Sequence, residues 1–417
     1  MAPRLLLLAA TTGYSTRVFA DQTRRLGYHL TLATDRCRVL DDPWGDHAFP
    51  VRFEQPEEAA RQLAAAGPFD GILAVADRPA YVAALAAQKL GLRYHPPDAV
   101  AACHDKHLAR ERYRAAGLPT PDYFRVSLAE DPAAAACRAP YPCVLKPLGL
   151  SASRGVIRAD GPEQFVSAFR RIAALLKEAD ILRLREAANS YIQVERFIPG
   201  VEYALEGVLT EGCLKVLAIF DKPDPLDGPF FEETIYVTPS RAPDAAQQAL
   251  IAATEQGIRA LGLWHGPIHA EMRRNQQGVW ILEIAARPIG GLCAKALRFD
   301  PSMPLEELLL RHAVGQDVAA ARLADPASGV MMIPIRKAGI YQGVDGVDRA
   351  ARIAGEVIVT AKEGQELRPL PEGASYLGFI FARGASPLEV ERLLRAAHAE
   401  LRFEIAATLP VVGRTPR

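Results

Sequence analysis

Apolar and polar residues follow two different periods along the first hundred positions, which predicts strands and helices in alternation. The runs LLLLAA, HLTLATD and GILAVAD have the length of buried strands, whereas PAYVAALAAQKLG and the stretch over 15–26 have helical periodicity. Continuous apolar strands joined by helical crossovers form parallel sheets covered on both faces, so this region predicts a parallel α/β domain. The turn TTGYST after the first strand lacks the pattern G-x-G-x-x-G, and we expect no dinucleotide site there.

A Pro-Pro break in LRYHPPDAV predicts a domain boundary near residues 92–104. Asp105 is then placed to cap a helix over about 106–116. The segments DYFRV and YPCVLKP follow and predict a pair of strands.

A loop of small residues, LGLSASRGV, lies between Lys146 and a strand that begins at Val156. Glycine and serine let backbone N–H groups approach anionic oxygens, and a preceding lysine adds a point charge. The loop therefore predicts a lid over phosphate groups, with Gly149 and Gly155 as hinges. The alternative is an ordinary turn between strands.

The segment YIQVERFIPGVEYALEGVL predicts two strands joined by a short connector, in which Glu195 and Glu202 bracket Phe197 and Ile198. An extended backbone offers one donor and one acceptor to the edge of an adenine, and the Glu202 carboxylate can accept hydrogen bonds from ribose hydroxyls. The alternative is a surface connection between two strands.

The segment HGPIHAEMRRNQQGVWILEIAARPIGG predicts a β-hairpin with alternating faces and a turn centred near Gln277. In that register Glu271 and Glu283 lie directly opposite each other, and Arg287 continues their face. Opposed like charges destabilise a hairpin, and a hard cation such as Mg²⁺ would remove the repulsion. The alternative is a solvated polar face whose charge is neutralised by nearby arginines, namely Arg273, Arg274 and Arg287.

Composition limits the class of protein. The chain has 417 residues, of which 49% are hydrophobic and 24% charged, and its 49 basic and 49 acidic side chains balance. This length predicts roughly two to four domains, and the zero net charge gives no reason to expect nucleic acid or an anionic membrane as a partner. The six cysteines form no C-x-x-C pair, which favours cytoplasmic thiols over zinc or disulfides. The run LLLLAA is too short for an export signal, and no apolar stretch has the length of a membrane span.

Taken in order, these segments resemble the ATP-grasp superfamily from the first strand to about residue 405. The resemblance implies ATP as the cofactor, and the residues that would bind it are Lys106 in HDKHLARERY, Lys146, Ser153, Gly155, Glu195, Phe197, Ile198 and Glu202. It also implies that Glu271 and Glu283 hold Mg²⁺, which Mn²⁺ can replace. Arg287 matches the arginine that stabilises acyl-phosphate and tetrahedral states, so the implied catalytic residues are Arg287, Glu283 and Lys146.

One position departs from the superfamily, because Ala285 stands where an asparagine commonly adds a metal ligand. The motif EIAARPIGG nevertheless resembles bacterial L-amino-acid ligases, which join two amino acids. In PFFEETIYVTPS, residues 229–240, Glu233 matches an acidic residue of their substrate loop, and Tyr236 replaces a histidine. The implied substrate residues are Glu233, Tyr236, His269, Arg287, Gly290 and Gly291, with Glu233 and His269 as candidate bases for the incoming amine.

The resemblance implies an ATP-grasp fold, α/β and α+β, in four parts. These are an N-terminal parallel-sheet domain over 1–103, a small ATP-grasp lobe over 104–205, a large lobe with the hairpin over 206–328, and a C-terminal α+β lobe and tail over 329–417. The β-rich final segment has one strong helix, which begins at a capping box of Ser386, Pro387 and Glu389.

The implied activity is an ATP-dependent carboxylate-amine ligase that forms an amide through an acyl phosphate. Expected partners are small-molecule acids and amines and a second copy of the chain in a cytoplasmic homodimer, without nucleic acid or membrane. Two alternatives stay open: a bicarbonate-using enzyme of the same superfamily, and a nucleotide-binding regulator without turnover.

Overall fold

The N-terminal region forms a four-stranded parallel sheet flanked by helices. The computed structural model describes residues 2–10, 16–35 and 48–407, so most of the turn TTGYST lies outside the described residues. The elements are β1 (Arg4–Ala9), α1 (Thr16–Leu26), β2 (His29–Thr34), β3 (Phe49–Pro50), α2 (Pro56–Ala65), β4 (Gly71–Val75), α3 (Asp77–Leu90), α4 (Pro97–His104) and α5 (Lys106–Ala115). The strand order is β3-β2-β1-β4, and all three pairings are parallel. This confirms the predicted parallel α/β domain.

A second sheet follows the capped helix. The side chain of Asp105 accepts hydrogen bonds from the N–H groups of His107 at 2.8 Å and Leu108 at 3.1 Å, as the sequence predicts. The elements are β5 (Tyr123–Ser127), α6 (Pro132–Ala136), β6 (Cys143–Pro147), β7 (Ile157–Ala159), α7 (Pro162–Leu175), α8 (Ala179–Leu182) and β8 (Tyr191–Arg196). Their order is β5-β8-β6-β7, so the predicted pairing of β5 with β6 is wrong, because β8 lies between them.

A large antiparallel sheet forms the centre of the protein. The segment over residues 201–313 contains five of its strands and the elements between and after them. These elements are β9 (Val201–Thr210), β10 (Cys213–Asp221), β11 (Ile235–Thr238), α9 (Asp244–Leu261), β12 (Gly266–Asn275), β13 (Gly278–Ala285), β14 (Arg298–Phe299), β15 (Met303–Pro304) and α10 (Leu305–Ala313). The predicted boundary between residues 205 and 206 falls inside β9, which is a single ten-residue strand.

The C-terminal region continues the large sheet rather than forming a wholly separate lobe. Its elements are β16 (Ala327–Ile333), β17 (Gly339–Asp345), α11 (Val347–Ala354), β18 (Gly355–Val359), β19 (Glu366–Leu367), β20 (Gly378–Gly384), α12 (Pro387–Ala399) and β21 (Arg402–Ala406). The eight-stranded order is β13-β12-β9-β10-β11-β16-β20-β18, and only β19-β17-β21 form a sheet of their own. The edge of β11 would otherwise be unpaired, and β16 covers it.

The predicted start of the last helix is confirmed. Ser386 accepts a hydrogen bond from the N–H of Glu389 at 3.3 Å, and the Glu389 carboxylate accepts one from the N–H of Ala385 at 2.8 Å. Residues 408–417 of the predicted tail lie outside the described residues. None of the described helices combines the length and apolar character that crossing a lipid bilayer requires.

Candidate active site

One cavity of about 390 Å³ lies where the N-terminal domain, the second sheet and the large sheet meet. Nearly all residues that the sequence singles out line it. They are Lys106, Lys146, Ser153, Glu195, Phe197, Ile198, Glu202, Glu233, Tyr236, His269, Glu271, Glu283, Arg287, Gly290 and Gly291. Side chains that are far apart in sequence therefore face a shared space. Of the residues predicted to bind ATP, Gly155 does not line it.

The hairpin of β12 and β13 places Glu271 directly opposite Glu283, as predicted. The position of the turn differs from the expected one. Asn275 pairs with Gly278, so the turn is centred half a residue earlier than Gln277. A register shift after Glu271 compensates for the difference.

The same irregularity breaks the predicted alternation of β13. Met272 pairs with Ile281 while Glu271 pairs with Glu283, so Leu282 is the extra residue of a bulge. Leu282 consequently lines the cavity beside Glu283, whereas Ile281 is buried in the core. Strict alternation along β13 predicts the opposite face for Leu282.

The two opposed carboxylates have separate cationic partners. Glu271 lies 3.2 Å from the Nζ of Lys222 and 3.5 Å from the Nε2 of His269, and Glu283 lies 3.8 Å from the Nζ of Lys106. Arg273, which the alternative assigned to these carboxylates, instead binds Glu202 at 2.8 Å. Arg287 lines the cavity with both carboxylates and interacts with them electrostatically, so of the arginines in the alternative Arg273 is the one that the structure assigns to another partner.

Lys222, just after β10, is the main residue that the sequence reasoning missed. Its ammonium donates to Glu202 at 2.9 Å, to Glu271 at 3.2 Å and to Glu233, and it is 5% exposed. Oxygen atoms of these three carboxylates lie within 4.8 Å of one another. Burial would lower the pKa of Lys222, but the three carboxylates raise it well above its usual value, so the ammonium stays charged.

Glu233 has an unusual ionisation for a carboxylate. Burial, with a further contribution from the nearby charge of Glu271, raises the pKa of Glu233 to about 7 despite the contact with Lys222. The hydroxyl of Tyr236 donates a hydrogen bond to Glu233 at 2.9 Å. Glu233 can therefore exchange a proton near neutral pH, which suits a base for an amine.

Two lysines also line the cavity. Lys106 donates to the carbonyl of Leu150 at 2.7 Å, and Lys146 donates to Glu195 at 2.7 Å. Arg110, which is 2% exposed, also binds Glu195 at 2.8 Å. Burial would raise the pKa of Glu195, but Arg110 and Lys146 hold it well below its usual range. The Glu195 carboxylate thus orients Lys146 rather than facing the cavity unpaired.

The connector predicted for adenine uses part of its hydrogen-bonding capacity within the protein. The N–H of Phe197 donates to the carbonyl of Pro142 at 2.8 Å, and the carbonyl of Ile198 accepts from Arg273 at 2.8 Å. Among the described residues, the N–H of Ile198 has no backbone partner. Glu202, predicted for the ribose, is already bound by Arg273 and Lys222.

The predicted lid is attached to the C-terminal region. Ser151 and Ser153 line the cavity, but the N–H of Gly155 donates to the carbonyl of Pro371 at 2.8 Å, and Arg154 donates to that of Glu372 at 2.9 Å. Gly155 has φ of +76°, and a Cβ there would approach Pro147 to 2.6 Å. Gly155 is therefore required for the turn rather than placed to contact phosphate.

Arg287 joins the hairpin to the N-terminal domain. Its Nε donates to Asp77 at 2.7 Å, at the start of α3, and both side chains line the cavity. Burial would raise the pKa of Asp77, but Arg287 lowers it, so Asp77 is a carboxylate that fixes the guanidinium. The sequence reasoning missed Asp77 because it follows a strand of another domain.

His269 does not have the protonation state of a base. Burial would lower its pKa, but Glu206, at 3.0 Å from Nδ1, and Glu271 raise the pKa to about 9. A protonated imidazole cannot accept a proton from an amine, so the candidate role of His269 as a base is not supported. His269 pairs across the hairpin with Ala285, the position that departs from the superfamily.

Comparisons with known proteins agree with this arrangement. Residues 139–296 match the family model of the ATP-grasp domain, and residues 331–406 match that of the L-amino acid ligase C-terminal domain 2. The L-amino acid ligase from Bacillus licheniformis shares the fold, with a TM-score of 0.78 and 24% identity over 97% of this chain and 100% of that chain.

Curated relatives match over shorter stretches. The alanine–anticapsin ligase of Bacillus subtilis is 28% identical over 243 residues, 54% of this chain and 50% of the ligase. The dapdiamide A synthase of Enterobacter agglomerans is 28% identical over 152 residues, 36% of this chain and 34% of the synthase. The matched part of the chain thus spans half or less of the length of these two relatives.

Proposed function

Since this chain combines an ATP-grasp domain with an L-amino acid ligase C-terminal domain, we propose that it is an ATP-dependent carboxylate-amine ligase. It activates the carboxylate of an amino acid or a related acid and joins it to an amine, giving a dipeptide or an amino-acid conjugate with ADP and phosphate. The observation that carries the proposal is the single cavity that holds Lys106, Lys146, Glu271, Glu283 and Arg287 together.

In the first half-reaction, a carboxylate oxygen of the acid attacks the γ-phosphate of ATP, and the bond from that phosphorus to ADP breaks. Lys106 and Lys146 neutralise the phosphates, because each ammonium has three donors and can bind phosphate oxygens while it keeps its contact with Leu150 or Glu195. The product is an acyl phosphate.

The hairpin carboxylates fit a divalent cation. Glu271 and Glu283 are opposed hard oxygen donors that line the cavity, and in the protein alone their charges are offset by cationic side chains. These two residues would hold Mg²⁺, or Mn²⁺ in its place, and the ion would neutralise phosphate charge when bound. Ala285 offers no ligand atom, so Glu283 has no protein substitute on its strand.

In the second half-reaction the amine attacks the acyl carbon, a C–N bond forms, and the bond to phosphate breaks. Arg287, held by Asp77, donates to the oxyanion of the tetrahedral state. Glu233 accepts the proton that the amine releases, which its pKa of about 7 permits.

We expect the ionisation of Glu233 to determine how kcat/KM depends on pH. Below about pH 7 the Glu233 carboxylate becomes protonated, so kcat/KM should fall on the acidic side with an apparent pKa near 7. Tyr236→Phe removes a hydrogen bond to the charged form, so it should move this limb to higher pH, and Glu233→Gln should abolish it. Initial rates from pH 5.5 to 9 measure the effect, and an unchanged limb in Glu233→Gln would assign the proton to another group.

The lid should protect the acyl phosphate from water, because Arg154 ties it to Glu372 and to the carboxylates of Glu178 and Asp180 at 2.9 Å each. We expect Arg154→Ala to raise the ratio of ADP to amide by about threefold or more through hydrolysis. Arg138→Ala, which breaks a contact with Glu130 in the same lobe, is the matched control. An unchanged ratio in Arg154→Ala would contradict a protective role of these contacts.

The proposed activity is tested by incubating the protein with ATP, Mg²⁺ and pooled amino acids in bicarbonate-free buffer. Equal amounts of ADP, phosphate and a new amide, detected by mass spectrometry, are expected, and Glu283→Gln should form none. ADP release that requires bicarbonate, or ATP binding without turnover for every acid and amine, would contradict the proposal. The homodimer and the cytoplasmic location stay predictions from the sequence.

A further inference from the structure

A buried carboxyl group on α10 has no role in the chemistry described above. Glu306 is 2% exposed and lines the same cavity as the reacting groups. Among the described residues, no side chain of another residue donates a hydrogen bond to it or forms an ion pair with it. Its neighbour Glu307, by contrast, is bound by Arg311 at 2.7 Å. The carboxyl group has a hydrogen bond from its own backbone N–H but no ion pair with a described side chain, and a buried carboxylate without a counter-ion is unfavourable unless a ligand supplies one.

The surroundings of Glu306 are largely apolar. Leu305 and Leu309 of α10, Phe19 of α1 and Ala294 line the cavity with it and are buried. Burial raises the pKa of Glu306. Lys295, the charged residue that opposes this shift, is held by Glu356 at 2.6 Å. The wall therefore holds the Glu306 carboxyl group within a largely apolar lining.

A role in helix capping does not account for this placement. An acidic side chain in the first turn of a helix interacts favourably with its N-terminus, and Glu306 gains a hydrogen bond from its own backbone N–H, but neither contact supplies the counter-ion that a buried carboxylate requires. Glu307 already supplies an acidic residue to the first turn of α10. Glu306 adds the unfavourable burial of a carboxyl group, which a hydrocarbon side chain at this position would avoid.

The cavity connects Glu306 to the reacting end. Arg287 and Glu233 line the same space, and neither Arg287 nor Lys222 contacts Glu306. A substrate with its reacting group at Arg287 can therefore extend along the apolar wall and present a second group to Glu306. An ammonium or guanidinium group is the complement to a carboxylate that lacks a cation.

We propose that Glu306 determines substrate specificity by binding a cationic group at the end of a substrate side chain. The class of substrate is then a basic amino acid or a diamine with an apolar spacer. This inference rests on the proposed ligase function, because it identifies one substrate of that reaction. Bound substrate would supply the counter-ion that no described side chain provides in an ion pair.

The test compares L-lysine with L-norleucine, which has the same chain length but lacks the ε-ammonium. We expect wild-type protein with Mg²⁺ and ADP to bind lysine at least about tenfold more tightly by calorimetry, and kcat/KM to show the same preference. Glu306→Gln, which keeps the shape of the side chain, should reduce the preference to within about twofold. Glu307→Gln is the matched control and should preserve it.

A structural role would give a different pattern, since Glu306→Gln would then change the melting temperature without changing the ratio of lysine to norleucine binding. That result, or wild-type protein without a preference for lysine, would overturn the proposal. Glu306→Asp keeps the carboxylate on a shorter side chain and should retain a weaker preference for lysine. This variant replaces Glu306→Gln in the test if the glutamine variant does not fold. If the protein forms amides but does not prefer lysine to norleucine, this inference alone is rejected. If it binds lysine selectively but turns over no pair of acid and amine, the ligase function alone is rejected.

Discussion

Replacing Arg287 with methionine is expected to lower kcat for amide formation by about two to three orders of magnitude. The guanidinium lines the cavity, and Asp77 of the N-terminal domain fixes it with a hydrogen bond of 2.7 Å. It is the group that we assign as the hydrogen-bond donor to the oxyanion. ATP affinity should stay within about threefold, because Lys106 and Lys146 remain. Steady-state kinetics and nucleotide binding by calorimetry measure the two quantities separately.

Asp77→Asn provides the control for this result. It leaves Arg287 in place but removes the charge that fixes the guanidinium, so we expect a smaller loss of kcat, about tenfold, with the same ATP affinity. Turnover in Arg287→Met close to that of the wild type would show that another group stabilises the oxyanion. An equal loss of ATP affinity would place the arginine at the nucleotide instead.

Lys222→Met is expected to lower the free energy of unfolding by about 3–5 kcal/mol, since removing one partner leaves buried charges uncompensated. Glu233 and Glu271 lose their shared ammonium, while Glu202 keeps Arg273. Denaturant unfolding measures the change. We expect Mg²⁺ to restore part of the lost stability in the variant, because the three carboxylate oxygens lie within 4.8 Å of one another.

The matched control is Lys215→Met on β10, the strand that ends just before Lys222. Within the described part of the chain, Lys215 donates to the carbonyl of Ala319 alone, at 2.8 Å at the surface, so its loss should change the free energy of unfolding by less than about 1 kcal/mol. A similarly small effect in Lys222→Met would mean that the carboxylates of this cluster are protonated rather than held by the ammonium.

Local periodicity predicts much of the fold and the site. Buried runs such as Leu5 to Leu8 identify the parallel sheet, and the opposed pair Glu271 and Glu283 follows from hairpin pairing. The bulge at Leu282 does not follow, because an extra residue in a strand depends on packing against neighbouring strands rather than on the pattern of one strand. The order of strands within a sheet is limited in the same way. No local pattern in the sequence shows that β8 lies between β5 and β6.

The missed site residues share a physical cause. Lys222, Arg110 and Asp77 act through partners 11 to 210 positions away in the chain. A charge directly after an apolar strand, as in KVLAIFDK and GILAVAD, is the signal that two of them offer. Their protonation states also required the fold, because burial and neighbouring charges determine whether Glu233 or His269 can accept a proton.

The most direct test of the ligase chemistry follows the oxygen atoms of the acid. If a carboxylate oxygen attacks the γ-phosphate, that oxygen leaves with phosphate when the amine forms the amide. An amino acid labelled with oxygen-18 in its carboxylate should therefore transfer one labelled oxygen to inorganic phosphate for each amide formed, as measured by mass spectrometry. Amide formation with unlabelled phosphate, or with AMP and pyrophosphate as products, would contradict an acyl-phosphate mechanism at this site.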